Sequence, residues 1–97
     1  MIQLHSTIKR NNEDFLCSKL GAELVMMNLK TGDYLGLNEV SSDIWDLLKE
    51  PRTAEEVVNG LLQQYEVTKE DCEQQTLECL NKMAEQGMVS AVEVPVG

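Results

Sequence analysis

Few residues of this 97-residue chain could support covalent or metal chemistry. The candidates are three cysteines, Cys17, Cys72 and Cys79, and a lone histidine, His5. A zinc site needs closely spaced pairs of such ligands, and the sequence has no Cys-x-x-Cys pair. A nucleophilic cysteine needs a nearby base and positive surroundings, whereas Glu and Asp residues flank Cys72 and Cys79. A glycine-rich phosphate loop is also missing, so we predict no enzyme, no metal site and no cofactor.

A stripe of side chains near the C-terminal end suits binding better than catalysis. Cys72, Thr76, Cys79 and Met83 recur every three or four residues, so they share one side of a helix. Met and Cys side chains adapt easily to an apolar ligand. Two interpretations remain open: the stripe is one wall of a peptide groove, or it widens the core face of the helix.

A short strand at residues 34–37 is the second candidate for binding. It follows a turn at Gly32 and contains none of the Lys, Pro or bulge features that usually protect an exposed sheet edge. Gly36 lets another backbone approach closely. We predict that a peptide pairs with this edge as an added strand. The alternative is that the N- or C-terminal tail of the chain itself covers the edge.

The hydrophobic pattern that must position these residues has a period of two before residue 38 and about 3.6 after it. It predicts strands at residues 15–20, 24–29 and 34–37. Helices follow at about 39–49, from the cap at Thr53 through Tyr65, and at about 69–86. Asn38, Thr53 and Thr68 are the predicted N-caps, and Thr53 forms a capping box with Glu56. Residues 88–94 alternate weakly and are predicted as a final strand or wing.

These elements predict an α+β fold resembling a winged helix-turn-helix, with a three-stranded antiparallel sheet followed by three helices. We expect one domain over residues 1–97, with its core at about 15–92. The N-terminal segment, which holds His5, is expected to be loose.

The charge of the chain excludes several classes of partner. Eight basic residues against seventeen acidic ones give a net charge of −9 and a pI of about 4.4. Binding to nucleic acid or to anionic lipid requires a basic face. The sequence also contains no apolar stretch of the length found in signal peptides or membrane spans. We therefore expect a cytoplasmic protein whose partner is a protein or a peptide, with no nucleic acid and no membrane.

Five segments in a fixed order resemble the PqqD-like family. They are residues 31–38 (TGDYLGLN), 44–48 (IWDLL), 53–57 (TAEEV), 65–67 (YEV) and 80–89 (LNKMAEQGMV). No single segment is specific, but their order and spacing together cover nearly the whole chain. The first two look more like the discrete leader-binding proteins of lasso-peptide clusters than like those of quinone cofactor synthesis.

The resemblance implies a function in the maturation of ribosomally synthesised peptides. Family members bind the leader of a precursor peptide as an extra antiparallel strand and present it to a modifying enzyme. For a lasso-peptide cluster that enzyme is a leader peptidase, and for the cofactor pathway it is a radical SAM enzyme. The implied peptide-binding residues in this sequence are Asp33, Tyr34, Leu35 and Gly36 at the strand edge and Cys72, Thr76, Cys79 and Met83 on the helix.

Two other functions compete with a non-catalytic, leader-binding adaptor. A winged-helix transcriptional regulator would need a basic recognition helix, yet the third helix has two lysines against five acidic residues. A structural subunit that pairs edge to edge with its own copy is the other rival. We expect a monomer or a weak homodimer.

Overall fold

The computed structural model describes residues 2–21 and 23–92. These residues contain six strands and three helices joined by turns and loops. The strands are β1 (Thr7–Arg10), β2 (Phe15–Leu20), β3 (Glu23–Asn28), β4 (Tyr34–Leu37), β5 (Arg52–Thr53) and β6 (Val89–Val92). The helices are α1 (Glu39–Leu47), α2 (Ala54–Leu62) and α3 (Lys69–Glu85). The predicted α+β fold, with a three-stranded antiparallel sheet followed by three helices, is confirmed.

The helices begin at the predicted N-caps, where a side-chain oxygen accepts from a backbone N–H that lacks a partner within the helix. The side chain of Asn38 accepts from the N–H of Ser41 at 2.8 Å, which starts α1 directly after β4. Thr53 and Glu56 form the reciprocal capping box of α2. Thr68 caps α3 in the same way. These caps fix the points at which the chain leaves the sheet and enters each helix.

The first sheet is an antiparallel meander in the order β2-β3-β4. Gly32 has φ +79° in the turn before β4, a conformation that suits glycine. At the other end of β4, the buried hydroxyl of Ser42 accepts from the N–H of Leu24 at 3.1 Å and donates to the carbonyl of Leu37 at 3.3 Å. This hydroxyl joins α1 to the last pair of residues between β3 and β4, so the position of β4 relative to α1 is fixed.

A second antiparallel sheet, in the order β5-β1-β6, was not predicted. The expectation of a loose N-terminal segment is wrong for residues 7–10, which pair with Arg52 and Thr53 on one side and with β6 on the other. The predicted final strand is present as β6, and residues 93 and 94 of that prediction lie outside the described residues. Because the described N-terminal residues are held in this second sheet, they leave the edge of β4 uncovered.

One hydrophobic core lies between the first sheet and the helices. Its fully buried side chains include Met26 of β3, Ile44 of α1, Val57 of α2 and Leu80 of α3. Arg10 of β1 connects the second sheet to α1, because its guanidinium lies 5.2 Å from the centre of the Trp45 ring and donates to the Trp45 carbonyl at 3.2 Å. The core therefore sets the distance between the first sheet and α3.

Candidate functional site

The backbone of β4 has a free edge whose polar groups can be assigned from the register. The N–H of Asn28 donates to the carbonyl of Asp33 at 2.8 Å, which marks a hydrogen-bonded pair at the start of the β3–β4 ladder. Such pairs alternate along antiparallel strands, and Met26 lies opposite Leu35. Leu35 therefore directs its N–H and C=O toward β3, whereas Tyr34 and Gly36 direct theirs away from it. The free edge presents the backbone groups of Tyr34 and Gly36.

The side chains of β4 alternate between the core and solvent. Leu35 and Leu37 point to the core face, where Leu37 is buried and Leu35 is half-buried against the cluster. Tyr34 points the opposite way and is 74% exposed. A Cβ added at Gly36 would meet no atom within 4 Å. The edge is thus accessible on the side of Tyr34 and Gly36 and is backed by the core on the other.

The helix stripe predicted from the sequence is largely buried, which favours the interpretation that it widens the core face. Cys72 and Met83 are buried, and Thr76 is only 1% exposed. The thiol of Cys72 lies 3.8 Å from the Val58 carbonyl, so it faces α2. Cys79 alone is half-buried. The interpretation that the stripe widens the core face therefore holds for Cys72, Thr76 and Met83.

The side of α3 that remains accessible beside the first turn of α1 carries a different stripe. The hydroxyl of Ser41 lies 3.4 Å from Sγ of Cys79, which places this side of α3 against the first turn of α1, the helix that directly follows β4. Residues that share the face of Cys79 by helical spacing are Gln75, Lys82 and Gln86, and all three are exposed. We use the name groove for the space between the free edge of β4 and Gln75, Cys79, Lys82 and Gln86. The stripe holds no acidic residue.

The sheet face directed away from the helices is mostly apolar, and its polar members are Ser18 beside Val25 and Glu23 beside Leu20. Register places Leu16, Met27 and Tyr34 in one row across the three strands and Ser18, Val25 and Gly36 in the next. Leu16 and Leu20 are more than half exposed. We call Leu16, Leu20, Val25, Met27 and Tyr34 the outer sheet face. The sequence reasoning missed it, although the alternation of Leu16, Ser18 and Leu20 in β2 is a signal for it.

A hydrogen bond between Tyr65 and Asp43 ties the end of α2 to α1. The phenol of Tyr65 donates to a carboxylate oxygen of Asp43. This bond, with smaller effects of burial and of the charges of Asp43 and Glu39, raises the pKa of Tyr65 to about 12. The bond joins the two helices that flank the first turn of α3.

Because of the hydrogen bond between Tyr65 and Asp43, we expect the protein to lose stability at alkaline pH. In the unfolded chain this phenol has its ordinary pKa of 10.0, whereas in the folded state the pKa is about 12. The stabilisation is therefore complete below pH 10 and disappears as the pH rises to about 12. Tyr65→Phe should lower stability at neutral pH and flatten this alkaline decline. Urea unfolding over a pH series measures it, with Tyr34→Phe as the control; equal slopes in Tyr65→Phe and wild type would refute the bond.

We also searched the described part of the chain for metal ligands, paired cysteines and membrane-spanning helices. Within residues 2–21 and 23–92, no group of three or more His, Cys, Asp or Glu side chains is placed to hold a metal ion. Cys17 is exposed on β2, far in the sequence from buried Cys72 and half-buried Cys79, and all three are free thiols. Over the same residues, every helix is too short or too polar to span a lipid bilayer.

Comparisons with known proteins found a family model and solved structures that match this chain. The family model described as "Coenzyme PQQ synthesis protein D (PqqD)" matches residues 23–89, which include β3, β4 and all three helices. The chain is similar to a solved structure described as TbiB1 in complex with the TbiA(beta) leader peptide. The sequence identity is 28%, the TM-score is 0.78, and the match covers 89% of this chain and 99% of that one.

A second solved structure, described as lasso peptide synthetase B1 complexed with the leader peptide, shares the fold. Its identity is 20% and its TM-score 0.75, with 86% of this chain and 96% of that chain covered. A comparison with curated protein sequences gave no match.

Proposed function

The chain belongs to the PqqD family, and on that premise we propose that it is a non-catalytic adaptor that binds the leader of a ribosomally synthesised precursor peptide. The observation that carries the proposal is the free edge of β4, where the N–H and C=O groups of Tyr34 and Gly36 point toward open space. An extended peptide can satisfy these groups by strand addition. The leader peptides bound in both similar structures support this ligand class.

The groove also provides surfaces for the side chains of an added strand. Alternate side chains of a strand point to opposite faces of the sheet, so one set would face α3 and the other would extend the outer sheet face. Toward α3 the strand would meet Gln75, Cys79 and Lys82, which offer polar and thiol contacts without an opposing carboxylate. The net charge of −9 would speed the association of a leader that carries Lys or Arg.

Amide hydrogen exchange tests strand addition directly. The ligands are peptides that have been selected from a random display library on the immobilised protein. We expect the enriched peptides to protect the amides of Tyr34 and Gly36 from exchange. The amide of Leu35, already bonded to β3, serves as the internal control because its protection should change much less. Peptides that bind without protecting Tyr34 or Gly36 would contradict strand addition at β4.

We further propose that the outer sheet face receives the maturation enzyme, with a lasso-peptide leader peptidase favoured over a radical SAM enzyme. Contiguous exposed apolar patches usually mark interaction sites, and here Leu16 and Tyr34 lie in one row of the same face. A bound leader would add its own outward side chains beside Tyr34. An enzyme on this face would therefore contact the adaptor and the leader together, which explains how a binding protein could present a substrate.

Negative charges introduced by substitution on the outer sheet face should disrupt enzyme docking without affecting leader binding. The double change Leu16→Glu and Leu20→Glu should leave peptide affinity near that of the wild type while abolishing co-purification of the peptidase encoded with the precursor. Lys19→Glu is the matched control, because Lys19 is exposed on the same strand but points to the opposite face. Retention of the peptidase by the double variant would exclude this face as its docking site.

A further inference from the structure

The first sheet has a second free edge, on β2. In the order β2-β3-β4, no described residue pairs with β2 on the side away from β3. The N–H of Leu29 donates to the carbonyl of Asp14 at 2.8 Å, which marks a hydrogen-bonded pair just before β2 begins. Such pairs alternate, so Leu16 and Ser18 bond to β3. The residues of β2 whose N–H and C=O groups point outward are therefore Phe15, Cys17 and Lys19.

The strand β2 is uncovered on both of its faces. Every residue from Leu16 to Leu20 is exposed. On the outer sheet face, Leu16 and Leu20 are 54% and 66% exposed. On the opposite face, Cys17 and Lys19 border an open space of about 440 Å³ between β2 and α1, which we call the β2 cleft. This edge is thus open to a further strand, with room for side chains above and below.

The wall of the β2 cleft that α1 provides is acidic. Its ionisable residues are Glu39, Asp43 and Asp46, and α1 contains no basic residue. Two basic side chains of the lining are already engaged, since Arg10 lies over the Trp45 ring and Lys49 pairs with Asp46. Lys19 forms no ion pair within the described part of the chain. The cleft therefore has carboxylates available to a cation from outside.

The sequence of β2 favours one register for antiparallel pairing with a second copy of itself. If Leu16 lies opposite Leu20 of the second copy, the two-fold symmetry produces two leucine pairs on the outer sheet face. Ser18 then lies on the symmetry axis, and Cys17 lies opposite Lys19 of the second copy. A register with Cys17 on the axis would instead set Leu16 opposite Ser18 and lose both leucine pairs. Because apolar cross-strand pairs stabilise sheets, we expect the first register.

We infer that β2 pairs with β2 of a second copy, so that the protein forms a symmetric dimer with a continuous sheet. Each pair of Cys17 with Lys19 exchanges two backbone hydrogen bonds, as hydrogen-bonded antiparallel pairs do. The side chain of Lys19 from one copy enters the β2 cleft of the other, where α1 supplies Glu39 and Asp43. Both β4 edges lie at the ends of the combined sheet and stay free, so the inference does not depend on leader binding.

The dimer is weak because its interface is small. A lysine on an edge strand usually opposes pairing, and the net charge of −9 on each copy opposes association as well. The acidic wall of the β2 cleft offsets the first effect, and salt screens the second. Interfaces below about 1,200 Å² are typical of weak complexes. We expect a dissociation constant of about 10⁻⁵ to 10⁻⁴ M.

Sedimentation equilibrium over a concentration series that brackets this range tests the dimer. The average mass of the wild type should rise from 10.9 kDa toward twice that value. Cys17→Pro removes an outward N–H and should stay monomeric, whereas Cys17→Ala keeps the N–H and should associate like the wild type. Lys19→Glu should weaken association about tenfold or more, because it replaces attraction to the acidic wall with repulsion. Thermal unfolding verifies that each variant is folded.

A disulfide between two copies tests the register. In the inferred dimer, Ser18 faces its own copy in a non-hydrogen-bonded pair, with the Cα atoms about 4.5 Å apart. Disulfides form at Cα separations of roughly 4.4–6.8 Å. In a Cys17→Ser background, Ser18→Cys should therefore give a covalent dimer with oxidised glutathione. Ser90→Cys in the same background is the control, because Ser90 is exposed on β6 in the other sheet, and it should give far less covalent dimer.

The outcomes separate the dimer from the proposed function. A wild type that stays monomeric throughout the series overturns the dimer and leaves strand addition at β4 intact. A dimer that survives in Cys17→Pro but is lost in Gly36→Pro would place the contact on β4 and also overturn the inference. If the dimer forms as inferred, the covalent dimer should bind two selected peptides, with the amides of Tyr34 and Gly36 protected in both copies. A covalent dimer that binds no peptide would support the interface and contradict the leader-binding function alone.

Discussion

Gly36→Pro should abolish peptide binding while the protein stays folded. The substitution removes an N–H that the ladder register directs to the free edge of β4, and its ring occupies the space that an added strand would need. Proline is tolerated at edge positions whose N–H faces solvent. One lost hydrogen bond costs about 0.5–1.5 kcal/mol, and the clash with the incoming strand adds to it. We expect affinity to fall more than about tenfold.

Gly36→Ala is the control for this experiment because it keeps the N–H. An added Cβ at Gly36 meets no atom within 4 Å, and no positive φ requires glycine there. Gly36→Ala should therefore bind peptide about as well as the wild type. Calorimetric titration with a selected peptide gives both affinities, and thermal unfolding verifies the fold. A folded Gly36→Pro protein with wild-type affinity would exclude strand addition at β4.

Met83→Asp should unfold the protein. The side chain of Met83 is 3% exposed and belongs to the main core cluster. A carboxylate there would lose its hydration without gaining a partner, and burial of an unpaired charge costs several kcal/mol. Domains of this kind have a total stability of about 5–15 kcal/mol. We expect a loss of roughly 4 kcal/mol or more in urea unfolding, or no cooperative transition at all.

Two neighbouring changes calibrate the Met83 result. Met83→Leu nearly conserves volume and should cost less than about 1.5 kcal/mol. Lys82→Asp places the same carboxylate one residue earlier on an exposed position and should cost about 1 kcal/mol or less. If Met83→Asp were as stable as Lys82→Asp, the side chain of Met83 would have to face the groove.

The sequence was sufficient to predict the elements that build the groove. The three N-caps, the turn at Gly32 and the short strand before Asn38 are local signals, and each is found in the structure. Local patterns succeed here because a cap or a tight turn depends on a few adjacent residues. Helical spacing also identified Cys79, but the predicted stripe grouped it with Cys72, Thr76 and Met83 and missed Gln75, Lys82 and Gln86.

The exposure of individual residues depended on tertiary packing, which spacing does not determine. Cys72, Thr76 and Cys79 have equivalent spacing, but the first two are buried, Cys72 against α2, whereas Cys79 is only half-buried. Likewise, the pattern of β4 does not reveal whether the N–H of Leu35 or of Gly36 points outward. That choice follows from the pairing of Asn28 with Asp33, a consequence of how the turn sets the register.

The second sheet determines the order in which the protein can be completed during synthesis. β1 pairs with β5 and β6, so its residues 7–10 cannot acquire their full set of partners until residues 89–92 have left the ribosome. The elements of the groove, from β2 to α3, lie between these two strands in the sequence and make more local contacts. Because distant contacts form slowly, the peptide-binding part can assemble first. The N-terminal strand then closes a structure whose binding edge already exists.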